Sequence, residues 1–349
     1  MTFRDGVAIR AASHGRDAGA DCPSCGQRAG GETVRVLAMT SLGIDLGTGS
    51  VKAAVVSDEG DILSRASRAY PISSPSAGWA ETEPQAWLEA VNEAATEAIG
   101  LASAAPQSVG FSGQMHGVVL TDANLGPLRP AILWADTRSA AQAQRMNEQL
   151  GAEQMARLGS GGVAGFAATT LAWLTEHEPE VIAQTRHILQ PKDWLRAALG
   201  GNIGTEPSDA SGTLLSDVET GTWSDRAVAW CGVSPELLPE IFPSHEQAGT
   251  VEIAGLRLPC VYGGADTACA IAGLGLSAGE GFVAVGSGSQ VVALLAQPSL
   301  DATLRTHTFA TPGAPGSGWY RIGAVQNAGL ALEPTLAMLG SSFDEAHEA

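Results

Sequence analysis

Lysine is nearly absent from this sequence, because Lys52 and Lys192 are the only two in 349 residues. The formal net charge is −18, and no cluster of basic side chains is visible along the chain. A nucleic acid or an anionic membrane surface requires clustered Lys and Arg to neutralise its phosphates. The composition therefore argues against a nucleic-acid or membrane partner, and any phosphate that binds has to occupy a local site.

Long apolar runs are also missing, since none approaches the roughly 20 residues that a membrane-spanning helix needs. The five cysteines are an odd and sparse set, which indicates reduced thiols in a cytoplasmic protein rather than a disulfide framework. Cys22 and Cys25 have half of a zinc-ribbon spacing, but no second pair follows at the right distance. We therefore favour coincidence over a zinc site.

The segment before Met39 differs in character from the rest of the chain. Residues 1–38 are rich in Gly, Ala, Arg and Ser without a sustained period, which predicts a disordered tail or a start-site extension. Strand and helix signals alternate after Met39. Strands are predicted at 41–47, 51–57, 107–112, 117–121, 258–264, 281–285 and 291–296. Helices are predicted at 84–100, 137–150, 193–199 and 267–276.

Two predicted hairpins share one pattern. "GIDLGTGSVKAAVV" and "VAVGSGSQVVALL" each place an apolar strand on both sides of a G-[TS]-G-S turn. The repeat suggests duplicated domains that face one cleft, and chance recurrence in a glycine-rich chain is the alternative. Backbone N–H groups in such turns converge on anions, and glycine lets a phosphate approach closely. Neither turn has the P-loop or the dinucleotide-binding glycine pattern.

Asp45 lies in the first of these hairpins, where a bare carboxylate would repel a phosphate. A magnesium ion between the two groups removes the conflict, because Mg²⁺ binds carboxylate and phosphate oxygens together. The hydroxyl groups of Thr48, Ser50, Ser287 and Ser289 add further donors. The hairpin thus has the composition of half a magnesium–nucleotide site.

Two other polar positions interrupt apolar segments. Asp266 follows a predicted buried strand that ends at Gly263-Gly264, where it is either a base that accepts a hydroxyl proton or the N-cap of the next helix. His116 separates two predicted strands, where it either faces a pocket or fills a structural role. Local sequence leaves both pairs of alternatives open.

Seven segments, taken together and in order, resemble the FGGY carbohydrate kinases and, within them, the xylulokinase group, over residues 39–349. These are "GIDLGTGSVKAAVVSDEGDIL", "AGWAETEPQAWLEA", "FSGQMHGVVLTDANLGPLRPAILWADTRS", "LQPKDWLRAALGG", "EPSDASGTLLSDVETGTWSD", "GGADTACAIAGLG" and "VAVGSGSQVVAL". The Q-M-H-G and P-A-I-L-W-x-D-x-R elements make the set specific.

The resemblance implies the α/β actin/Hsp70/sugar-kinase fold of the ribonuclease H-like type, with two α/β domains around a cleft. It further implies an N-terminal sugar-binding domain at 39–276 and a partial nucleotide domain at 277–349. The implied reaction uses ATP and Mg²⁺ to convert D-xylulose, a small ketose, to D-xylulose 5-phosphate. A homodimer is left open.

The resemblance also implies the roles of individual residues. Asp266 corresponds to the catalytic base and also contacts the substrate, and Asp45 acts through Mg²⁺. Sugar contacts are expected at Met115, His116 and Thr267, with Trp79 near the sugar pocket. Phosphate contacts are expected at the two loops, Gly47, Thr48, Gly49, Ser50, Gly286, Ser287, Gly288 and Ser289.

Three departures from the family pattern qualify these roles. Thr267 stands where the family often has an amide, which puts the exact sugar in doubt, and Thr170 stands where a lysine is common. Members of the family also continue well beyond residue 349, so the nucleotide domain is expected to be incomplete. The alternatives are a kinase for another ketose or polyol, or a non-catalytic, truncated sugar-binding remnant.

Overall fold

The computed structural model describes residues 39–285, 289–325 and 334–341, so the predicted tail at 1–38 lies outside the described part. Its helices are α1 (Pro84–Leu101), α2 (Ala140–Arg157), α3 (Ala167–His177), α4 (Pro179–Gln184), α5 (Pro191–Ala198), α6 (Pro207–Gly212), α7 (Asp225–Cys231) and α8 (Asp266–Leu274), with a 3-10 turn at Pro235–Leu237. None of the helices in these ranges is both long and apolar enough to cross a bilayer.

The strands form one mixed sheet, one antiparallel four-stranded sheet and several short pairs. They are β1 (Thr40–Leu46), β2 (Ser50–Ser57), β3 (Ile62–Ala69), β4 (Glu81–Thr82), β5 (Ser108–Gly113), β6 (Val119–Thr121), β7 (Ala131–Ile132), β8 (His187–Leu189), β9 (Ser216–Asp217), β10 (Thr222–Trp223), β11 (Gln247–Ile253), β12 (Leu256–Val261), β13 (Gly264–Ala265), β14 (Gly281–Val285), β15 (Ser289–Leu295), β16 (His307–Ala310) and β17 (Trp319–Val325).

The mixed sheet has the strand order β11-β12-β5-β1-β2-β3, with β13 also paired to β5. β1, β5 and β13 run parallel, whereas β1-β2 and β2-β3 are antiparallel hairpins. Alternate residues of β1 and β2 are buried, as period-two strands require when one face meets the core. Helix α1 covers that face through Trp87, Val91 and Ala94, which recur at helical spacing and are fully buried.

Several elements were not predicted, among them α3, α6 and α7, and three other segments differ in detail from the sequence predictions. The strand predicted at 258–264 is broken, because Gly263 adopts a φ of 83° at a point where a Cβ atom would overlap the carbonyl oxygen of Phe111. Strand β3 has no apolar alternation to reveal it, since it lies at the sheet edge and none of its residues is fully buried. The polar helix runs to Arg157, with a break at Gly151.

The four-stranded sheet, in the order β14-β15-β17-β16, packs on the first region through β16 and β17. The Thr308 N–H donates to the Gly159 carbonyl across 2.6 Å. Phe309 and Tyr320 are buried in the same apolar cluster as Met115. The second hairpin, β14-β15, pairs as predicted from the repeat, but its turn residues Gly286, Ser287 and Gly288 lie outside the described residues.

Candidate active site

Three parallel strands end at one edge of the mixed sheet and bring the predicted carboxylates together. Asp45 of β1 pairs in register with Ser112 of β5, and Ser112 pairs with Gly264 of β13. Asp266 comes two residues after Gly264, directly after the end of β13. Since neighbouring strands are about 4.8 Å apart, Asp45 and Gly264 lie two strand spacings, or roughly 10 Å, from each other, and Asp266 begins the helix just beyond Gly264. This carboxyl-end edge is where open α/β sheets usually bind ligands.

Asp45 is partly exposed, with 30% of its side chain accessible. The Ser112 hydroxyl donates to its Oδ1 across 3.4 Å, and Lys52 Nζ lies 3.9 Å from its Oδ2. No group of three or more metal-ligating side chains occurs in the ranges that the structure describes. A single accessible carboxylate fits Mg²⁺, which commonly keeps several waters and takes only one or two protein carboxylates beside substrate phosphates.

The glycine-rich turn after β1 is held from several sides. The Gly47 N–H donates to the Ser50 carbonyl at 3.0 Å, and the Gly47 carbonyl accepts from the Tyr70 hydroxyl. The Trp134 indole N–H donates to the Thr48 hydroxyl oxygen across 2.8 Å, which leaves the hydroxyl proton free to donate. Within the described residues, the N–H groups of Thr48 and Gly49 have no protein acceptor. These three donors are available to an anion, whereas the Gly47 N–H is not.

Asp266 is the first residue of α8, and the N-cap position belongs to Ala265. The side chain is half-buried and accepts a hydrogen bond from the Thr267 N–H at 2.5 Å. Burial, with a smaller contribution from the negative charge of Asp45, raises the pKa of Asp266 from 3.8 to about 6. A carboxyl group with this pKa is ionised at neutral pH and is a stronger base than an ordinary aspartate.

Met115 and His116 pack against the end of α6. His116 has a φ of 72°, and its Nδ1 lies 2.6 Å from the Gly212 carbonyl oxygen. Because a carbonyl only accepts, Nδ1 carries the proton and Nε2 presents a lone pair. A Cβ atom on Gly212 would lie 2.8 Å from Met115 Cε and 3.2 Å from His116 Nδ1, so a side chain there would displace the end of Met115 and press on the imidazole. The Tyr320 hydroxyl approaches Met115 Sδ at 3.7 Å from the second sheet.

The imidazole of His116 is expected to remain neutral throughout the physiological range. The ring stacks on Phe166 with a centroid distance of 3.7 Å, and burial lowers the pKa of His116 to about 4. The ring-proton NMR shifts of His116 should therefore stay constant from pH 8 down to pH 5, while an ordinary histidine titrates near 6.5. A His116 titration midpoint above pH 6 would contradict this environment.

The remaining predicted site residues are placed as follows. Thr267 lies next to Asp266 on α8 and is half-buried. The Trp79 ring contacts Arg138, whose guanidinium carbon lies 3.6 Å from the ring centroid, and Trp173 at 5.5 Å. These contacts give Trp79 a packing role, and its nearness to the sugar stays a prediction. Ser289 begins β15, and Ser50 begins β2.

Sequence reasoning did not single out several residues that the fold brings to this edge. Ser112, Trp134, Gly212 and Tyr320 contact Asp45, Thr48, His116 and Met115, respectively. Ser112, Trp134 and Gly212 lie inside quoted family segments, and only that membership could have drawn attention to them. Tyr320 lies in none of them, and its position depends on how the second sheet docks.

Comparison with known proteins shows the family of this chain. A profile described as "FGGY family of carbohydrate kinases, N-terminal domain" matches residues 40–273. The chain belongs to the FGGY family. Its curated relatives include a protein named xylulose kinase from Bacillus subtilis (strain 168), 34% identical over 303 residues, which cover 84% of this chain and 60% of the relative. Another xylulose kinase, from Lactococcus lactis subsp. lactis (strain IL1403), is 36% identical over 304 residues, 83% of this chain and 60% of the relative.

Solved structures of FGGY relatives confirm the fold class. The crystal structure of xylulose kinase from Rhodospirillum rubrum matches with a TM-score of 0.81 at 26% identity, over 88% of this chain and 65% of that chain. The predicted actin/Hsp70/sugar-kinase fold is therefore correct. This FGGY chain spans about 60% of the length of the curated relatives described above.

Proposed function

We propose that this FGGY protein is an ATP-dependent kinase that converts D-xylulose to D-xylulose 5-phosphate. The observation that carries the proposal is the pair of carboxylates at one sheet edge. Burial raises the pKa of one of them, Asp266, to about 6, and the other, Asp45, is accessible beside a turn with free anion donors. The names of the xylulose kinase relatives support the choice of sugar. The three described cysteines are free thiols, which supports a place in the cytoplasm.

In the proposed reaction, Asp266 accepts the proton of the sugar 5-hydroxyl as that oxygen bonds to the γ-phosphorus of ATP. The bond from γ-phosphorus to the bridging oxygen breaks, and ADP leaves with its electron pair. Asp45 would hold Mg²⁺, which supplies charge neutralisation on the nucleotide phosphates. The Thr48 hydroxyl and the N–H groups of Thr48 and Gly49 would donate to phosphate oxygens.

The sugar would be held beside Asp266 by the Met115–His116 segment. Neutral His116 offers Nε2 as an acceptor for a sugar hydroxyl, and Met115 offers an apolar surface to the carbon chain. Thr267 is a shorter hydrogen-bonding group than an amide, which makes another ketose or a polyol the second candidate substrate.

A coupled assay of ADP release tests this proposal with D-xylulose, D-ribulose, L-ribulose, D-fructose and glycerol as acceptors. We expect D-xylulose to give the highest kcat/KM. A higher value for another acceptor would transfer the assignment to that substrate. No ADP above background with any acceptor, together with D-xylulose binding by calorimetry, would contradict the kinase and support a sugar-binding remnant.

A further inference from the structure

A cluster of charged side chains lies in the protein interior next to β13, the short strand that directly precedes Asp266. Five of its members are 0% exposed, Lys192, Asp193, Arg196, Glu206 and Asp209. None of them takes part in the proposed phosphoryl transfer. Burying charge is costly unless each group is paired and hydrogen-bonded, so a cluster of this size calls for a structural or functional reason.

Lys192 lies among three carboxyl groups of this cluster. Lys192 Nζ lies 2.7 Å from Asp193 Oδ1, 3.2 Å from Asp209 Oδ2 and 3.8 Å from Glu206 Oε1. Burial disfavours the lysine cation, but the surrounding carboxylates outweigh it and raise the pKa of Lys192. Burial raises the pKa of Asp209 well above its ordinary value, although the nearby Lys192 cation opposes that shift. Lys192 and Arg196 are the cations that the carboxyl groups of this cluster surround.

Glu206 orients one hydroxyl group in a defined direction. Its carboxylate caps α6 by accepting from the N–H groups of Ser208 and Asp209, at 3.0 and 2.9 Å. It also accepts the Ser208 hydroxyl proton, with Oγ 2.7 and 2.8 Å from the two carboxylate oxygens. Since a serine hydroxyl has one proton, the Ser208 oxygen must act as an acceptor toward its remaining neighbour.

That neighbour is the backbone of β13, directly before Asp266. The Ala265 N–H donates to Ser208 Oγ across 2.9 Å, and Ala265 immediately precedes Asp266. On the other side of the bend at Gly263, Lys192 Nζ and Arg196 Nη1 donate to the Tyr262 carbonyl at 3.1 and 2.8 Å. The cluster therefore holds both ends of the short segment that turns the chain from β12 into α8.

We propose that Ser208, oriented by Glu206, is a positioning residue for Asp266. Its hydroxyl fixes the Ala265 N–H and thereby the point at which the Asp266 side chain leaves the backbone. The expected effect on rate rests on the proposed function, whereas the hydrogen bond from the Ala265 N–H to Ser208 Oγ does not depend on it. Misplacing a reacting group by about 1 Å can cost on the order of 100-fold in rate, so a single backbone hydrogen bond can matter here.

The chain contains a matched control on the same helix. The Ser211 hydroxyl is buried like that of Ser208 and accepts the Ala310 N–H at 3.0 Å, but Ala310 belongs to β16 of the second sheet. Ser208→Ala and Ser211→Ala each remove one hydroxyl and leave one buried N–H without its acceptor. We expect both variants to lose melting temperature, with the larger loss in Ser208→Ala, because the Ser208 hydroxyl also donates to the buried Glu206 carboxylate whereas the Ser211 hydroxyl donates to the Ser208 carbonyl.

The test measures three quantities in both variants. In Ser208→Ala we expect faster hydrogen exchange at the Ala265 amide. The pKa of the Asp266 carboxyl, measured by carbon-13 NMR titration, should move away from about 6. We also expect kcat to fall by about 10- to 100-fold with little change in KM. Ser211→Ala should change none of the three to this extent. If Ser208→Ala does not fold, Ser208→Cys, with its weaker sulfur acceptor, should give smaller changes of the same kind.

Failure of the inference and failure of the proposed function are distinguishable. If the wild-type protein phosphorylates sugar and Ser208→Ala has the same kcat as Ser211→Ala, the inference is overturned. The proposed kinase function would still stand. Altered exchange and an altered Asp266 titration in Ser208→Ala, without turnover in any form, would support the positioning contact and contradict the kinase. Unchanged Ala265 exchange would overturn the inference whatever the rates.

Discussion

Asp266→Asn is expected to lower kcat by about 10²- to 10⁴-fold while the protein still folds and binds sugar. Asparagine has nearly the same shape and keeps an oxygen for the Thr267 N–H, but it cannot accept a proton from a hydroxyl group. The measurement is ADP release at saturating D-xylulose, with calorimetry for sugar binding. Asp61→Asn is the control, because Asp61 is an exposed carboxylate in the turn between β2 and β3.

The pH dependence of the same reaction gives a second signature of Asp266. Only the ionised carboxylate accepts a proton, so kcat/KM should rise with pH through an apparent pKa near 6 and level off above pH 7. The residual kcat/KM of Asp266→Asn should not show this rise with pH near 6. Turnover within a few-fold of wild type in Asp266→Asn would remove Asp266 from the role of base.

The raised pKa of Asp266 also predicts a cost in stability. The folded protein holds the Asp266 proton up to about pH 6 and the unfolded chain releases it near 3.8, so stability falls as pH rises across that interval. Asp266→Asn should therefore increase the free energy of unfolding at pH 7, by on the order of 1–3 kcal/mol, and not at pH 3.5. Equal effects at both pH values would indicate another cause.

Lys192→Met is expected to lower the free energy of unfolding by about 3–5 kcal/mol, because it leaves buried carboxylates without their cation. Methionine has a similar length and is apolar, so the loss would come from the charge rather than from a cavity. Urea unfolding at pH 7 measures it. The reference is Lys52→Met, because Lys52 is 44% exposed and its contact with Asp45 spans 3.9 Å.

The two lysine-to-methionine variants are therefore expected to differ in their free energy of unfolding. An exposed ion pair contributes about 0–1 kcal/mol, so Lys52→Met should unfold close to wild type. Lys192→Met as stable as Lys52→Met would show that the interior carboxyl groups are held neutral without the lysine. That result would contradict a stabilising role for the ion pairs of Lys192 with Asp193 and Asp209.

Local sequence patterns predicted those helices and strands that are determined by residues close together in the chain. The hairpin around Gly47–Ser50 and helix α1 both follow from periodicity and turn residues, and the structure has them close to the predicted bounds. The position of Asp266 at a strand–helix junction was also readable. The sequence could not decide whether Asp266 is a base or a helix cap, because the cap position depends on whether the helix begins at Asp266 or at a neighbouring residue.

The contacts that the sequence did not predict join residues far apart in the chain. Trp134 donates to Thr48 across 86 positions, and Tyr320 approaches Met115 across 205. Neither pair has a local pattern, since each depends on how separate elements dock. The bend at Gly263 and the buried role of Glu206 were missed for the same reason. A polar run such as that of α6 is ordinarily read as surface, and only its burial shows otherwise.

Phosphorus NMR of the protein with D-xylulose, ATP and Mg²⁺ tests the central claim most directly. The account predicts a sugar phosphomonoester resonance that grows in step with ADP and is reduced at least 100-fold in rate in Asp266→Asn. ATP consumption that yields only inorganic phosphate, or a phosphomonoester that Asp266→Asn forms at the wild-type rate, would contradict it.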